Sequence, residues 1–306
     1  MTSRRPLRLL PLLLLLPLAA CSVAPVVADR EPDQYDADDV LLRDHPVPHV
    51  VVREAFVTAA TPEENIDSPA SWLQDGRRML VATAKATDAL VVYDGDTGRR
   101  LRTVGGPGTA PGRLQRPNGV ATIDDRYLFV VERDNRRVQM FRLPEFTPLL
   151  VFGAAELQQP YGLWVRASGD GYEVLVSDAY MAGEDANGDD IVPPLDQLDR
   201  RFRRYQVARD GDGWSARAAG AFGDTSAAGA IRVPESLFGD PAHDRLLVAE
   251  EDVPTGTRLR EYDLQGRYLG RDVGAGQYRA QAEGIALMAC ADGSGWWVAS
   301  DQFADR

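Results

Sequence analysis

RPNGVATIDDRYLFVVERDNRRVQMFR, residues 116–142, decides the fold. It opens on a polar entry with a small residue, Asn118 then Gly119, ahead of apolar positions, as a tight entry into a strand requires. A turn leads into the short, Val-rich YLFVVE from Tyr127, and a second turn leads into RVQMFR, an alternating strand with an aromatic near its end. Four other segments start alike: DSPASW from Asp67, QPYGLWV from Gln159, VPESLF from Val233 and QAEGIAL from Gln281. Each is followed by a second strand: MLVATA at Met79, YEVLVSD at Tyr172, RLLVAEE at Arg245 and WWVASD at Trp296.

ALVVYD, FRRYQV and LREYDL supply further third strands, and LRTVGG and LGRDVG read as fourth strands that end on glycine. Four strands per unit, with a period of about 45 to 50 residues, describe the blades of a β-propeller. Helical periodicity is absent from the folded region, and no stretch is long enough for a βαβ crossover. A β-sandwich has no reason to repeat at this period with the same entry. RPNGVA followed by ERDNRRVQMF also resembles an NHL repeat, itself a propeller blade. The fold expected is therefore all-β, a propeller that ends two strands into its fifth repeat. The strand VVVREAFVTA, residues 50–59, is expected to close the ring against a last blade that is missing from the chain.

The N-terminus supplies a place of work. Arg4, Arg5 and Arg8 precede a leucine-rich run from Leu9 to Leu18, too short to span a bilayer, and then Ala19 and Ala20. This pattern predicts a signal peptide over residues 1–20. Leu18, Ala19, Ala20 and Cys21 resemble the bacterial lipobox, which implies acylation of Cys21 and attachment to a membrane through lipid alone. Ser22 after the cysteine favours the outer membrane. Residues 21–49, rich in Asp, Pro and Val, read as a tether, and residues 50–306 as the propeller domain.

The chain carries a formal charge of −12, and loss of the three signal arginines makes it −15. That charge disfavours nucleic acid. A lipidated Cys21 leaves Cys290 as the one thiol, so no internal disulfide is possible, and its apolar neighbours predict a small buried hydrophobe. His45, His49 and His243 read as structural. GxSxG, P-loop and HExxH motifs are absent. Carboxylates, by contrast, recur at matching places: Glu235 and Glu283 at blade entries, and Glu250 and Glu251 after a second strand. Hard oxygen donors without histidine or thiolate suit calcium better than zinc, although acids of this kind also serve as solvated rim residues.

From Asp67 to Gln302 the chain resembles the calcium-dependent β-propeller phytases, six-bladed enzymes that release phosphate from inositol hexakisphosphate. EGIALMACADGSGWWVASDQ is similar to the family's EGL, apolar run, ADGxGY and ASSQG. VPES with LLVAEED is similar to TEG with LYIAEED, and DSPASW to DDPAIW. The resemblance implies a six-bladed fold, calcium as cofactor, and metal ligation by Asp67, Glu235, Glu251, Glu283 and Gln302. It implies phosphate binding by Lys85, Arg133 and Tyr161, catalytic roles for Glu235, Glu251 and Lys85, and a phosphorylated small molecule as partner of a monomer. The family's second lysine is Ala86 or Thr87 here, a lysine is replaced around Asp178, and Gln281 stands where the family has an acid.

DANGDD in the third repeat offers Asp185, Asn187 and Asp189 as a second, weaker calcium loop, with Asp190 where a calcium loop has its turning glycine. The expected activity is calcium-dependent phosphomonoester hydrolysis. The alternatives are a non-catalytic envelope propeller that binds a protein or glycan, and a propeller lactonase or other metal hydrolase.

Overall fold

In each repeat the second strand is apolar on both faces, which a strand tolerates only when packed sheets cover it on both sides. The computed structural model, which describes residues 54–278 and 280–302, realises that arrangement. Four antiparallel sheets of four strands follow one another in chain order. The first holds β1 (Ile66–Gln74), β2 (Arg77–Ala84), β3 (Ala89–Asp94) and β4 (Arg100–Gly105). The second holds β5 (Pro117–Ile123), β6 (Tyr127–Glu132), β7 (Arg137–Arg142) and β8 (Thr147–Phe152). The third holds β9 (Pro160–Ser168), β10 (Gly171–Asp178), β11 (Phe202–Asp210) and β12 (Gly213–Phe222). The fourth holds β13 (Pro234–Asp240), β14 (Arg245–Glu250), β15 (Arg258–Tyr262) and β16 (Tyr268–Val273). A final hairpin pairs β17 (Gln281–Ala289) with β18 (Gly295–Gln302).

The first strands β1, β5, β9, β13 and β17 neighbour one another in that order, as the inner strands of successive blades must. The core is a series of slabs between consecutive sheets. Leu128 and Val130 of β6 point toward the first blade, beside Trp72 and Leu90. Tyr127, Phe129 and Val131 of the same strand point toward the third, beside Tyr172 and Val174. Side chains such as Phe129 are fully buried, and each contributes about 1.5–3 kcal/mol by leaving water. The chain is thus an all-β propeller of four-stranded blades. Among the described residues there is no α-helix, and no helix is long and apolar enough to cross a membrane.

Two expectations need correction. Residues 54–60 form no strand; the Phe56 ring lies against Gly98 at the turn between β3 and β4. Cys290 is exposed, because it sits in the β17–β18 turn, where its N–H bonds the Ser294 carbonyl at 2.8 Å, and not on the strand face that meets the fourth blade. Residues 1–20, Cys21, the tether with His45 and His49, and Val50 to Arg53 lie outside the described residues.

Candidate functional site

The same irregularity interrupts every first strand. Register shifts lie between Ile66 and Pro69, Pro117 and Val120, Pro160 and Leu163, Pro234 and Leu237, and Ala282 and Ile285. Such a bulge places two residues opposite one and re-aims a side chain. The first bulge residue is Asp67, Asn118, Tyr161, Glu235 or Glu283, and the second is always small: Ser68, Gly119, Gly162, Ser236 or Gly284. Inner strands come too close here for anything larger. A Cβ on Gly119 would stand 2.7 Å from the Tyr161 carbonyl, and one on Gly162 would stand 2.6 Å from that of Glu235.

A backbone bond sets a second residue beside each of these. The N–H groups of Lys85, Arg133, Ala179 and Glu251 donate to the carbonyls of Asn65, Arg116, Gln159 and Val233, each two residues before a bulge. Register puts Gln302 at the matching place in the fifth repeat. Every repeat therefore offers the channel mouth one entry residue and one exit residue. The eight positions expected from the sequence for metal and phosphate all fall on these two sets, and the structure adds Asn118 and Ala179.

The acid just before the exit residue has a different task. Asp178 accepts the N–H groups of Gln158 and Gln159 at 2.8–3.2 Å, Glu250 those of Arg232 and Val233 at 2.9 Å, and Asp301 that of Ala280 at 3.0 Å. Glu132 accepts the Gln115 N–H at 3.0 Å and the Arg137 guanidinium at 2.6 Å. These carboxylates hold the loop that enters each blade, and burial pushes Asp178 and Glu250 above the usual carboxylate range. The position that faces the mouth in the third blade is accordingly Ala179, and the lysine replaced around Asp178 corresponds to this alanine. Arg201, fully buried, bonds the carbonyls of Asp178 and Tyr180 on one side and of Ile231 and Arg232 on the other, which fixes the third blade's exit against the fourth blade's entry. Desolvation lowers its pKa to about 10.

The mouth is electrically divided. On the first blade, Lys85 Nζ lies 3.1 Å from Asp67 Oδ2, 3.3 Å from the Tyr161 hydroxyl and 5.5 Å from the centre of the Tyr161 ring. On the fourth and fifth repeats, carboxylate oxygens of Glu235, Glu251 and Glu283 all lie within 4.8 Å of one another. Glu235 and Glu251 are only 6% and 3% exposed, so their mutual repulsion is poorly screened by water. Two oxygens on one calcium, each about 2.3–2.6 Å from it, can stand no more than about 5 Å apart, so the spacing and the hard donor set fit one such ion. Between the two sectors is a pocket that Arg133, Tyr161, Ala179, Pro234, Glu235 and Glu251 help to line.

Asp185 lies far along the third-blade excursion and is exposed, as are Asn187 and Asp189. Its carboxylate accepts the N–H groups of Asn187 at 2.8 Å and Asp189 at 3.0 Å, which hold it below the usual carboxylate range. His243 bonds Asp240 at 2.8 Å in the turn between β13 and β14.

No family model matches this chain, and no curated protein matches it. Solved structures do. A streptogramin B lyase is 13% identical, with a TM-score of 0.47 over 78% of this chain and 64% of that one. Virginiamycin B lyase from Staphylococcus aureus is 13% identical, with a TM-score of 0.44 over 76% and 63%. The Cps50 (Swd1) β-propeller domain from Myceliophteria thermophila is 12% identical, with a TM-score of 0.42 over 72% and 59%. The chain spans less than two thirds of the length of each. These are likenesses of fold.

Proposed function

We propose that this protein is a calcium-dependent phosphomonoester hydrolase of the phytase type, acting on inositol hexakisphosphate or a related ester, and held in the cell envelope by lipid on Cys21. One observation carries the reading: three clustered glutamates share a mouth with Lys85, Arg133 and Tyr161. Glu235, Glu251 and Glu283 would hold the ion, with Asp67 and Gln302 on the flanking entry and exit positions. When bound, calcium supplies Lewis acidity toward a phosphoryl oxygen and makes a nearby water more acidic.

The remaining work falls to the chain. Lys85 and Arg133 donate to the phosphoryl oxygens, and the Tyr161 hydroxyl accepts from Lys85 and orients it. Water oxygen bonds to phosphorus as the ester P–O bond breaks. Glu235 or Glu251 takes the proton that the water loses, and the departing alkoxide takes one from solvent, so the products are an alcohol and inorganic phosphate.

A non-catalytic, calcium-binding envelope propeller is the competing reading. Ala179 favours it, because a cation is absent where the preceding blades have Lys85 and Arg133. Phosphate release is the deciding measurement, from inositol hexakisphosphate and from an aryl phosphate, each with calcium and with a strong chelator. Calcium-dependent release supports the hydrolase. Release that persists in the chelator, or calcium binding without any release, overturns it.

A further inference from the structure

We infer that the substrate is a phosphate ester with a single phosphate on an uncharged, apolar alcohol, and not a polyphosphate; this rests on the hydrolase reading above. Charge around the mouth is the first reason. Lys85 and Arg133 face the four carboxylates of Asp67, Glu235, Glu251 and Glu283, and Lys85 already stands 3.1 Å from Asp67. One calcium on the three glutamates brings this set to neutrality and no further. A monoester adds about two negative charges, as phosphoserine does. A ring with six phosphates adds several times as many, and every phosphate beyond the first meets no further cation among the entry and exit residues.

The second reason is what lies beside the phosphate sector. Along the exit positions, side chains run Lys85, Arg133, Ala179 and Glu251, so the third blade presents a methyl group between a guanidinium and a carboxylate. Ala179 lines a pocket with the Tyr161 ring, Val233 and Pro234, all of them buried, and Arg133 stands at the same pocket. A phosphate held by Lys85 and Arg133 therefore directs its alcohol group onto an apolar wall. A hydrated phosphate there would have to shed water without gaining a donor from Ala179.

The test uses the full chain with calcium and three probes that it cannot hydrolyse: phenylphosphonate, methylphosphonate and inositol hexakissulfate, titrated by calorimetry. Phenylphosphonate should bind at least tenfold more tightly than methylphosphonate and more tightly than the hexakissulfate. A179K, which restores a cation at the exit position, should tighten the hexakissulfate several-fold and weaken phenylphosphonate. Equal affinity for the two phosphonates, or tightest binding of the hexakissulfate by the unaltered protein, overturns the inference without the variant. Turnover separates the two levels. Calcium-dependent release that prefers inositol hexakisphosphate to phenyl phosphate overturns this inference alone, whereas no probe bound and no ester cleaved overturns the hydrolase reading and this inference with it.

Discussion

Lys85 Nζ lies 3.1 Å from Asp67 Oδ2, and the two residues come from the exit and the entry of the same blade. The Asn65 carbonyl bond to the Lys85 N–H sets the two side by side, so the pair is a product of the blade's backbone. Replacing Lys85 by Met leaves Asp67 with no counter-charge in a part-buried site. Breaking a fully buried pair costs about 3–5 kcal/mol; with Asp67 20% exposed, about 1–3 kcal/mol is the expected loss in a denaturant titration. Calcium should bind more tightly, because a competing cation is gone, while KM for a phosphate ester rises at least tenfold. Calorimetry and initial rates check both, and an unchanged KM would remove Lys85 from the site.

The glutamate cluster predicts an opposite pair of effects. E251Q removes one of three crowded charges, so the metal-free protein should unfold at the same temperature or a higher one. The rise in Tm on adding calcium should fall by at least half, because a ligand stabilises only as far as it binds. A full calcium shift in E251Q would mean that the ion sits elsewhere.

Blade order was legible in the sequence because the repeat is physical: a polar entry, a small residue and a Val-rich second strand recur wherever β1, β5, β9, β13 and β17 begin. Candidate ligands were legible for the same reason. Glu250 and Glu251 were harder to tell apart, since both are acids after the same strand, and only the bonds from the Arg232 and Val233 N–H groups identify Glu250 as a brace. Asn118 reads as an ordinary turn residue until the bulge register aligns it with Glu235. Cys290 has apolar neighbours in sequence, yet burial depends on which sheet covers a residue, and a hairpin turn has none.

Gly162 is held between blades. Its N–H donates to Ser177 Oγ at 2.7 Å, and that hydroxyl donates to the Glu235 carbonyl at 2.8 Å. G162A would force a Cβ to 2.6 Å from the same carbonyl. Backbone must shift, at a cost of about 1–3 kcal/mol, and Glu235 moves with it. Calcium affinity should fall more than fivefold. Loss of stability with affinity intact would show that the metal does not depend on Glu235.

Burial raises the Asp178 pKa above its ordinary value of 3.8. The folded protein then holds this proton to higher pH than the unfolded chain does, so its contribution to stability falls as pH rises from about 4 toward the raised value. D178N cannot titrate, and its Oδ1 can still accept from Gln158 and Gln159. Compared with the unaltered protein, D178N should gain relative stability between pH 4 and pH 7 in urea titrations. A difference that is constant, or that shrinks as pH rises, contradicts the sign of the shift.

Asn118 is fully buried on the second blade's entry position, and neither its Oδ1 nor its Nδ2 has a hydrogen-bond partner within the protein. An amide in that state costs about 1–3 kcal/mol of desolvation, and N118A removes the cost while leaving a small cavity. The two changes oppose each other, so Tm should stay level or rise. If the amide completes its bonds with the substrate phosphate or with a water beside it, N118A should raise KM several-fold and leave calcium affinity unchanged, since Asn118 is separated from the glutamates by Tyr161 in the order of blades. A fall in Tm of several degrees with KM unaltered would make Asn118 a packing residue instead.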